Sequence, residues 1–456
     1  MLEKLFHLKE NRTSVRKEVV GGITTFMTMA YILAVNPNIL SASGMDRDAI
    51  LMATCLAAFI GTCLMGLMAN YPFALAPGLG LNAYFAYTVC GQMSYPWQVA
   101  LFAVFVEGVI FIILSLTNVR EAIFNAIPMT LKKGVGAGIG LFVAFIGFQN
   151  AHIVVDSPST LVTYVDFVKE WHTKGICALL AIVGLLFIVI LEVKKVRGSL
   201  LIGIIFTWIL GMIMQACGVY VPDAKAGFYS LYPTFALTDF TKLGLTAGQC
   251  FNLNFSKVGI VNFAIVVFSF LFVDMFDTIG TLIGVSDRAG MLDEEGKLPR
   301  VKPALLSDAL ATCVGAMLGT STTTTFVESS AGVAAGARTG LSSIVTGFLF
   351  LVAVLFAPIF TSVPGFATAP ALLYVGFLMI SAVLDIQFND LREAVPAYLT
   401  IISMPLMYSI AEGISLGVIS YVVINLAGNI LTSEKKKITP LMYVLAILFV
   451  LKYIFL

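Results

Sequence analysis

Fifteen apolar runs, many of them about 20 residues long, constrain this chain more than any motif in it. A run of that length crosses the hydrocarbon core of a bilayer as a helix. They lie near residues 19–40, 50–69, 78–91, 97–117, 134–149, 175–192 and 199–219, then 259–284, 303–319, 326–337, 340–361, 367–384, 396–410 and 412–431, and finally 439–455. Mean hydropathy is +0.96. A single soluble core stops growing at roughly 250–300 residues, so a 456-residue chain that is 59% hydrophobic and 12% charged reads as an all-α polytopic membrane protein.

The charges give the expected topology. With the N-terminus inside, the even-numbered connections are cytoplasmic and basic. Those connections hold Arg120, Lys132 and Lys133, Lys194, Lys195 and Arg197, Arg288, Lys297, Arg300 and Lys302, Arg338, Arg392, and Lys435–Lys437. Counted with the basic N-terminus, about 20 of the 27 basic residues fall inside. The expectation is fourteen crossings, with 439–455 either a fifteenth or an interfacial helix. The N-terminus has neither the short apolar region nor the cleavage site of a signal peptide. A net charge of +1 carries no nucleic-acid signature.

The first seven runs resemble the second seven. AAFIGTCLMGLMANYPFALAPGLGLNAYFAYTV parallels DALATCVGAMLGTSTTTTFVESSAGVAAGARTG, and Pro128 matches Pro364 further on. Seven crossings is an odd number, so the second half lies inverted: a 7+7 inverted repeat. One short, Gly/Pro-interrupted segment per half is the sequence pointer to a transport site near the midplane. Pro72 and Pro77 break ANYPFALAPG, and β-branched STTTTFV favours extended backbone. Such backbone is tolerated at membrane depth only inside protein or along a cavity. The two β-like runs are expected to pair and each to feed a half-helix, near Gly80–Asn82 and Glu328–Ala331.

The stretch from Phe268 to Arg338 carries the chemistry. Asp274 and Asp277 sit three apart on one helix face, and Glu328 opens the second half-helix. A carboxylate at membrane depth costs roughly 2.5–3.5 kcal/mol on insertion scales and marks a partner or a ligand. These acids and the Asn82 amide suit a planar heterocycle with N–H donors and ring acceptors. Tyr84, Phe85, Phe276 and Phe326 are candidate stacking walls. A buried acid beside another acid binds protons more tightly. Any of Asp274, Asp277 and Glu328 is therefore a candidate to carry a coupled proton.

Plainer readings stand beside these. Asp277 bonds a neighbouring helix, Asn82 caps its half-helix, Thr322–Thr325 is strand, and the aromatics face core or lipid. Glu107, Glu192, Asp308, Asp385 and Glu412 receive no role, although Glu107 and Asp308 merit testing. The 7 cysteines show no ligand spacing and are expected to be buried thiols. His7, His152 and His172 suggest no metal site. No nucleotide loop or activated nucleophile supports an enzyme, and no cofactor is expected.

APGLGLNAYFAY (76–87), FVDMFDTIGTLIG (272–284), FVESSAGVAAGARTGLSS (326–343) and ATAPALLYVGFLMI (367–380) resemble the AzgA-like purine permeases of the nucleobase–cation symporter superfamily. The resemblance spans nearly the whole chain. It implies proton symport of hypoxanthine, guanine and in some members adenine across the cell membrane, with substrate-site residues matching Gly80, Asn82, Asp274, Asp277 and Glu328. It also implies a core domain (1–117 and 259–362) and a gate domain (118–220 and 363–431). An extracytoplasmic loop (221–258) and a C-terminal tail (432–456) complete the chain. Homodimers occur among relatives of this fold, and a homodimer is the expectation by analogy. The rival readings are a same-fold carrier of uracil, xanthine or an organic anion, and a channel.

Overall fold

The computed structural model describes residues 2–117, 127–223, 227–233, 238–253, 258–288, 291, 298–432 and 435–455. In the first half the elements are α1 (Leu2–Phe6), α2 (Val15–Met29), α3 (Ile32–Leu40), α4 (Arg47–Leu64), β1 (Leu75–Pro77), α5 (Leu79–Ala83), α6 (Trp97–Leu116), α7 (Met129–Asn150), the hairpin β2 (Val154–Ser157) and β3 (Leu161–Tyr164), α8 (Ile176–Val193) and α9 (Ser199–Ala216). The second half runs α10 (Ile260–Arg288), α11 (Val301–Leu318), β4 (Thr323–Thr325), α12 (Ser329–Ala334), α13 (Gly340–Ala353), α14 (Ala357–Thr361), α15 (Gly365–Ile380), α16 (Leu391–Leu406), α17 (Ile410–Leu431) and α18 (Pro440–Phe455). Each expected apolar run falls on one of these helices or on a short series of them. Among the described residues, ten helices or continuous helix runs are long and apolar enough to cross a membrane. The chain is an all-α membrane protein carrying two short strand pairs.

Local sequence sets the helix ends. Ser14, Asp46, Asp390 and Ser409 precede α2, α4, α16 and α17, and each accepts a backbone N–H from the first turn with its side chain. Glu18 does the same from a distance: its fully buried carboxylate accepts from the N–H groups of Arg338 (2.8 Å) and Thr339 (3.2 Å), just ahead of α13. That bond pins the N-terminal helix to the second half.

The packing runs through small residues, as it does wherever helices associate without water to drive them. A Cβ on Gly340 of α13 would lie 2.0 Å from the Gly66 carbonyl oxygen, and one on Gly376 of α15 would lie 2.5 Å from that of Gly140 in α7. Around the first contact α2, α4, α6, α11 and α13 pack on one another. Around the second, α7, α15, α16 and α17 do so, with α8 and α9 beside α15.

The two interrupted runs meet. β1 pairs antiparallel with β4, with Leu75 opposite Thr325, Ala76 opposite Thr324 and Pro77 opposite Thr323. Two three-residue strands leave many backbone groups unpaired, and neighbouring side chains take them up. The Thr62 hydroxyl accepts from Leu75 N–H (2.9 Å), Thr312 donates to the Thr323 carbonyl (3.0 Å), and Ser329 Oγ accepts from Ala74 N–H (3.0 Å). Extended backbone is thereby satisfied inside protein, the condition for its presence at membrane depth.

Cys55, Cys177, Cys250 and Cys313 are buried free thiols as expected. Cys63 and Cys90 are half-buried, and Cys217 is exposed past the end of α9, which departs from the expectation.

Candidate functional site

The β1–β4 pair places α5 and α12 so that both half-helices start beside it. Gly78 N–H donates to Thr322 O (3.0 Å), and Phe326 N–H donates to Ala74 O (2.9 Å), so each strand fixes the entry of the other's half-helix. Phe326 is itself buried.

The acids converge on this pair from three helices. Glu328 sits immediately before α12, and its Oε1 accepts the hydroxyl of Tyr31, 2.8 Å away, from the break between α2 and α3. Thr28 Oγ1 lies 3.5 Å from the Glu328 carbonyl oxygen. Asp274 is fully buried on α10. One turn on, Thr278 Oγ1 stands 3.0 Å from Asp274 Oδ1, 2.9 Å from Asp308 Oδ2 of α11 and 2.8 Å from Thr324 Oγ1 of β4. A hydroxyl has one proton to give, so that group chooses among its acceptors. Asp277 Oδ2 lies 3.5 Å from where a Cβ on Gly78 would stand, against the start of α5. Asp277 therefore faces the half-helix, whereas Asp274 is linked to the strand through Thr278.

Asn82 is fully buried within α5, and both ends of its amide are engaged by protein. Nδ2 lies 3.4 Å from Pro77 O, and Oδ1 accepts from the Ser321 hydroxyl. It ties the first half-helix to the chain entering β4. Gly80 meets other helices: a Cβ there would lie 2.7 Å from Ile139 Cγ2 of α7 and 3.7 Å from Ile410 Cδ1 of α17. Tyr84 and Phe85 are buried against Phe270, at ring-centroid distances of 4.9 and 6.4 Å, which makes them core partners in this arrangement. The side chain of Phe276 lies outside the described residues.

Sequence reasoning passed over Tyr31 and Thr278 and left Asp308 and Glu107 without a role. Glu107, fully buried on α6, accepts the Thr322 hydroxyl at 2.8 Å. Thr322 and Thr324 lie two apart and so share a face of the extended run. That alternation was the available signal that a row of hydroxyls meets a row of acids. A cavity of about 340 Å³ lined by Ser330, Ala331, Val333, Ala334 and Arg338 opens along the half-helix after Glu328. Arg338 donates to the carbonyls of Val333 (2.7 Å) and Ala337 (2.6 Å), closing that half-helix. Among the described residues no group of three His, Cys, Asp or Glu side chains is placed to hold a metal ion. The chemistry on offer is hydrogen-bond acceptance by carboxyl groups buried inside the protein.

The family model Xan_ur_permease, described as the permease family, matches residues 16–450. A putative permease of Methanocaldococcus jannaschii is 46% identical over 100% of this chain and 98% of its own length. The guanine/hypoxanthine permease PbuG of Bacillus subtilis is 44% identical over 100% of both chains. The adenine permease AdeP of Escherichia coli is 41% identical over 100% of this chain and 96% of its own. Among solved structures, the transmembrane domain of the cyanobacterial bicarbonate transporter BicA superposes with a TM-score of 0.62 at 16% identity, covering 88% of this chain and 97% of that one, which shows a shared fold. The chain is therefore a multi-pass membrane transporter that belongs to the permease family, in its AzgA-like branch.

Proposed function

We infer that this permease imports purine nucleobases, hypoxanthine or guanine and in the wider reading adenine, together with protons, across the plasma membrane. The observation that carries this is the convergence of Glu328, Asp277 and Asp274 on two half-helices that begin at one buried strand pair. The relatives named as guanine/hypoxanthine and adenine permeases support the substrate class. Glu328 and Asp277 accept N–H groups of the base, because ionised carboxylates only accept and such charge-assisted bonds are about twice as strong as neutral ones. Phe326 and the backbone around Gly80 wall the site. Asn82 acts through its hold on Ser321. One of the three acids exchanges the coupled proton, and an anionic substrate would be repelled by the set.

The transport cycle we propose moves a core (1–117 and 259–362) against a gate (118–220 and 363–431), with fourteen crossings as a 7+7 inverted repeat and the N-terminus inside. The two groups of packed helices support this division, and the seam at Gly80, Ile139 and Ile410 is where substrate would be covered and uncovered. A homodimer is the assembly we expect.

The test is uptake of radiolabelled hypoxanthine in cells stripped of their own purine permeases, with and without a protonophore, competed by guanine, adenine, xanthine and uracil. Protonophore-sensitive uptake blocked by guanine and not by uracil supports the reading. Competition mainly by uracil or xanthine moves the substrate class elsewhere, and uptake indifferent to the protonophore removes the proton.

A further inference from the structure

We propose that Tyr31 is a positioning residue for this site: its hydroxyl fixes the Glu328 carboxylate so that Oε2 is presented to the incoming base. Tyr31 is 1% exposed, so its hydroxyl must find a partner inside the protein. The partner is Glu328 Oε1 at 2.8 Å, 297 residues away in the chain. The contact is built on a close-packed base. A Cβ on Gly332 of α12 would lie 2.0 Å from Thr25 Oγ1 of α2, and one on Gly21 of α2 would lie 2.6 Å from Ala337 Cβ. The helix that ends just before the tyrosine and the half-helix that begins just after the acid are therefore packed closely against each other.

Tyr31 stands in the break between α2 and α3, immediately before the new helix begins, and its hydroxyl reaches the residue that precedes α12. A glutamate has three side-chain torsions, and ordering them on binding opposes affinity. A hydroxyl that already holds one carboxylate oxygen removes part of that cost and leaves the other oxygen to accept from the base. Both residues belong to the proposed core, so the contact travels with the site through the transport cycle and serves it from either side of the membrane.

The proposal rests on the purine reading of the site, and the wild-type control separates the two. Wild-type protein that takes up no purine overturns that reading, whereas wild-type uptake with an unaltered Tyr31→Phe variant overturns only the role of Tyr31. Tyr31→Phe keeps the ring and removes the hydroxyl. Its KM for hypoxanthine should rise about tenfold, the size of one lost hydrogen bond to a charged group, with the maximal rate per molecule held within about twofold. A packing role predicts no change in KM. Should Tyr31→Phe accumulate poorly in cells, equilibrium binding of hypoxanthine to the purified variant reads the same shift, and an unchanged Kd overturns the proposal. Tyr31→His, which restores an N–H donor, should recover part of the loss. Glu328→Asp withdraws the carboxylate from the hydroxyl, so adding Tyr31→Phe in that background should cost less than about twofold more. A second full tenfold loss there would show that the two residues act independently.

Discussion

Glu328→Gln keeps the length of the side chain but leaves one acceptor oxygen and no group that titrates. Accumulation of hypoxanthine should fall to the background of cells without the permease, at normal expression, and normal accumulation would remove Glu328 from the site. Asn82→Ala acts through the fold first. The amide is spent inside the protein, so its loss leaves Ser321 without an acceptor and should lower stability by about 1–3 kcal/mol. The expected readout is a lower melting temperature in detergent with the ranking of competing bases kept; a changed ranking at unchanged stability would place Asn82 against the substrate instead. These residues show how much the sequence discloses at this scale. Asp274, Asp277 and Glu328 are legible because a charge in an apolar run is expensive wherever it lands. Tyr31 is not legible, because MAYILAVN is ordinary helix and its meaning lies in a contact with the other half of the chain. Asn82 is half legible: the half-helix is, but not that its amide turns inward to Ser321.

Elements depend on close approach and on end chemistry. The helical turn that continues α4 meets α13 where Gly66 faces Gly340, and a Cβ on Gly340 at 2.0 Å from a carbonyl oxygen cannot be absorbed by a rotamer change. Gly340→Ala should cost upwards of about 3 kcal/mol, because backbone must move. It should appear as loss of folded protein on size exclusion; full recovery would mean the two helices slide freely. The repeat comparison placed the broken runs correctly, and β1 and β4 do pair, because Pro72, Pro77 and the threonine run forbid continuous helix by local rules alone. What remained open was the C-terminal run. α18 is fastened at both ends: Lys436 binds Asp390 and Glu393 near its start, Tyr453 donates to Glu412 near its end, and Phe449 meets Phe268 of α10 at 5.8 Å. The Lys436 ammonium, helped by the Arg392 N–H, holds the Asp390 carboxyl below the usual carboxylate range. A depressed acid stabilises the folded form above its ordinary range, and that contribution is lost as pH falls through the lowered value. Both side chains are about one-third exposed (32% and 34%), so solvent screens the pair. Lys436→Ala should return Asp390 toward its ordinary range and so flatten the pH dependence of α18: proteolysis or hydrogen exchange at 440–455 should be faster at neutral pH and change less on acidification. Unchanged protection at neutral pH would show that the apolar face alone holds the helix.

At the scale of the molecule, the proposed cycle moves the two packed groups of helices relative to each other, and among the described residues few polar contacts join them. Asn38 Nδ2 of α3 reaches the Val363 carbonyl (3.3 Å) and Thr368 Oγ1 of α15 (3.4 Å), Arg47 donates to the same Val363 carbonyl (2.7 Å), and Thr88 donates to Tyr408 O (3.1 Å). Arg197 Nη1, in the connection between α8 and α9, lies 3.4 Å from Thr24 Oγ1 of α2. None of these was legible beforehand, because each joins neutral or loop groups far apart in sequence, whereas charge bias and hydropathy report only on depth and sidedness. The neutral ones are worth about 0.5–1.5 kcal/mol each and the two from arginine about 1.5–3 kcal/mol, small enough to break and remake in the proposed cycle. Joining the two bodies covalently at one of them should therefore stop the cycle. In the Asn38→Cys, Thr368→Cys double variant, a short bis-methanethiosulfonate, which joins two thiols through disulfides, should abolish hypoxanthine uptake, and reductant should restore it. The single variants are controls for reaction at the native thiols, exposed Cys217 foremost. Full uptake by protein shown to be cross-linked would mean that α3 and α15 keep their spacing throughout, and the moving seam would then have to lie elsewhere, between Gly80 and the helices carrying Ile139 and Ile410.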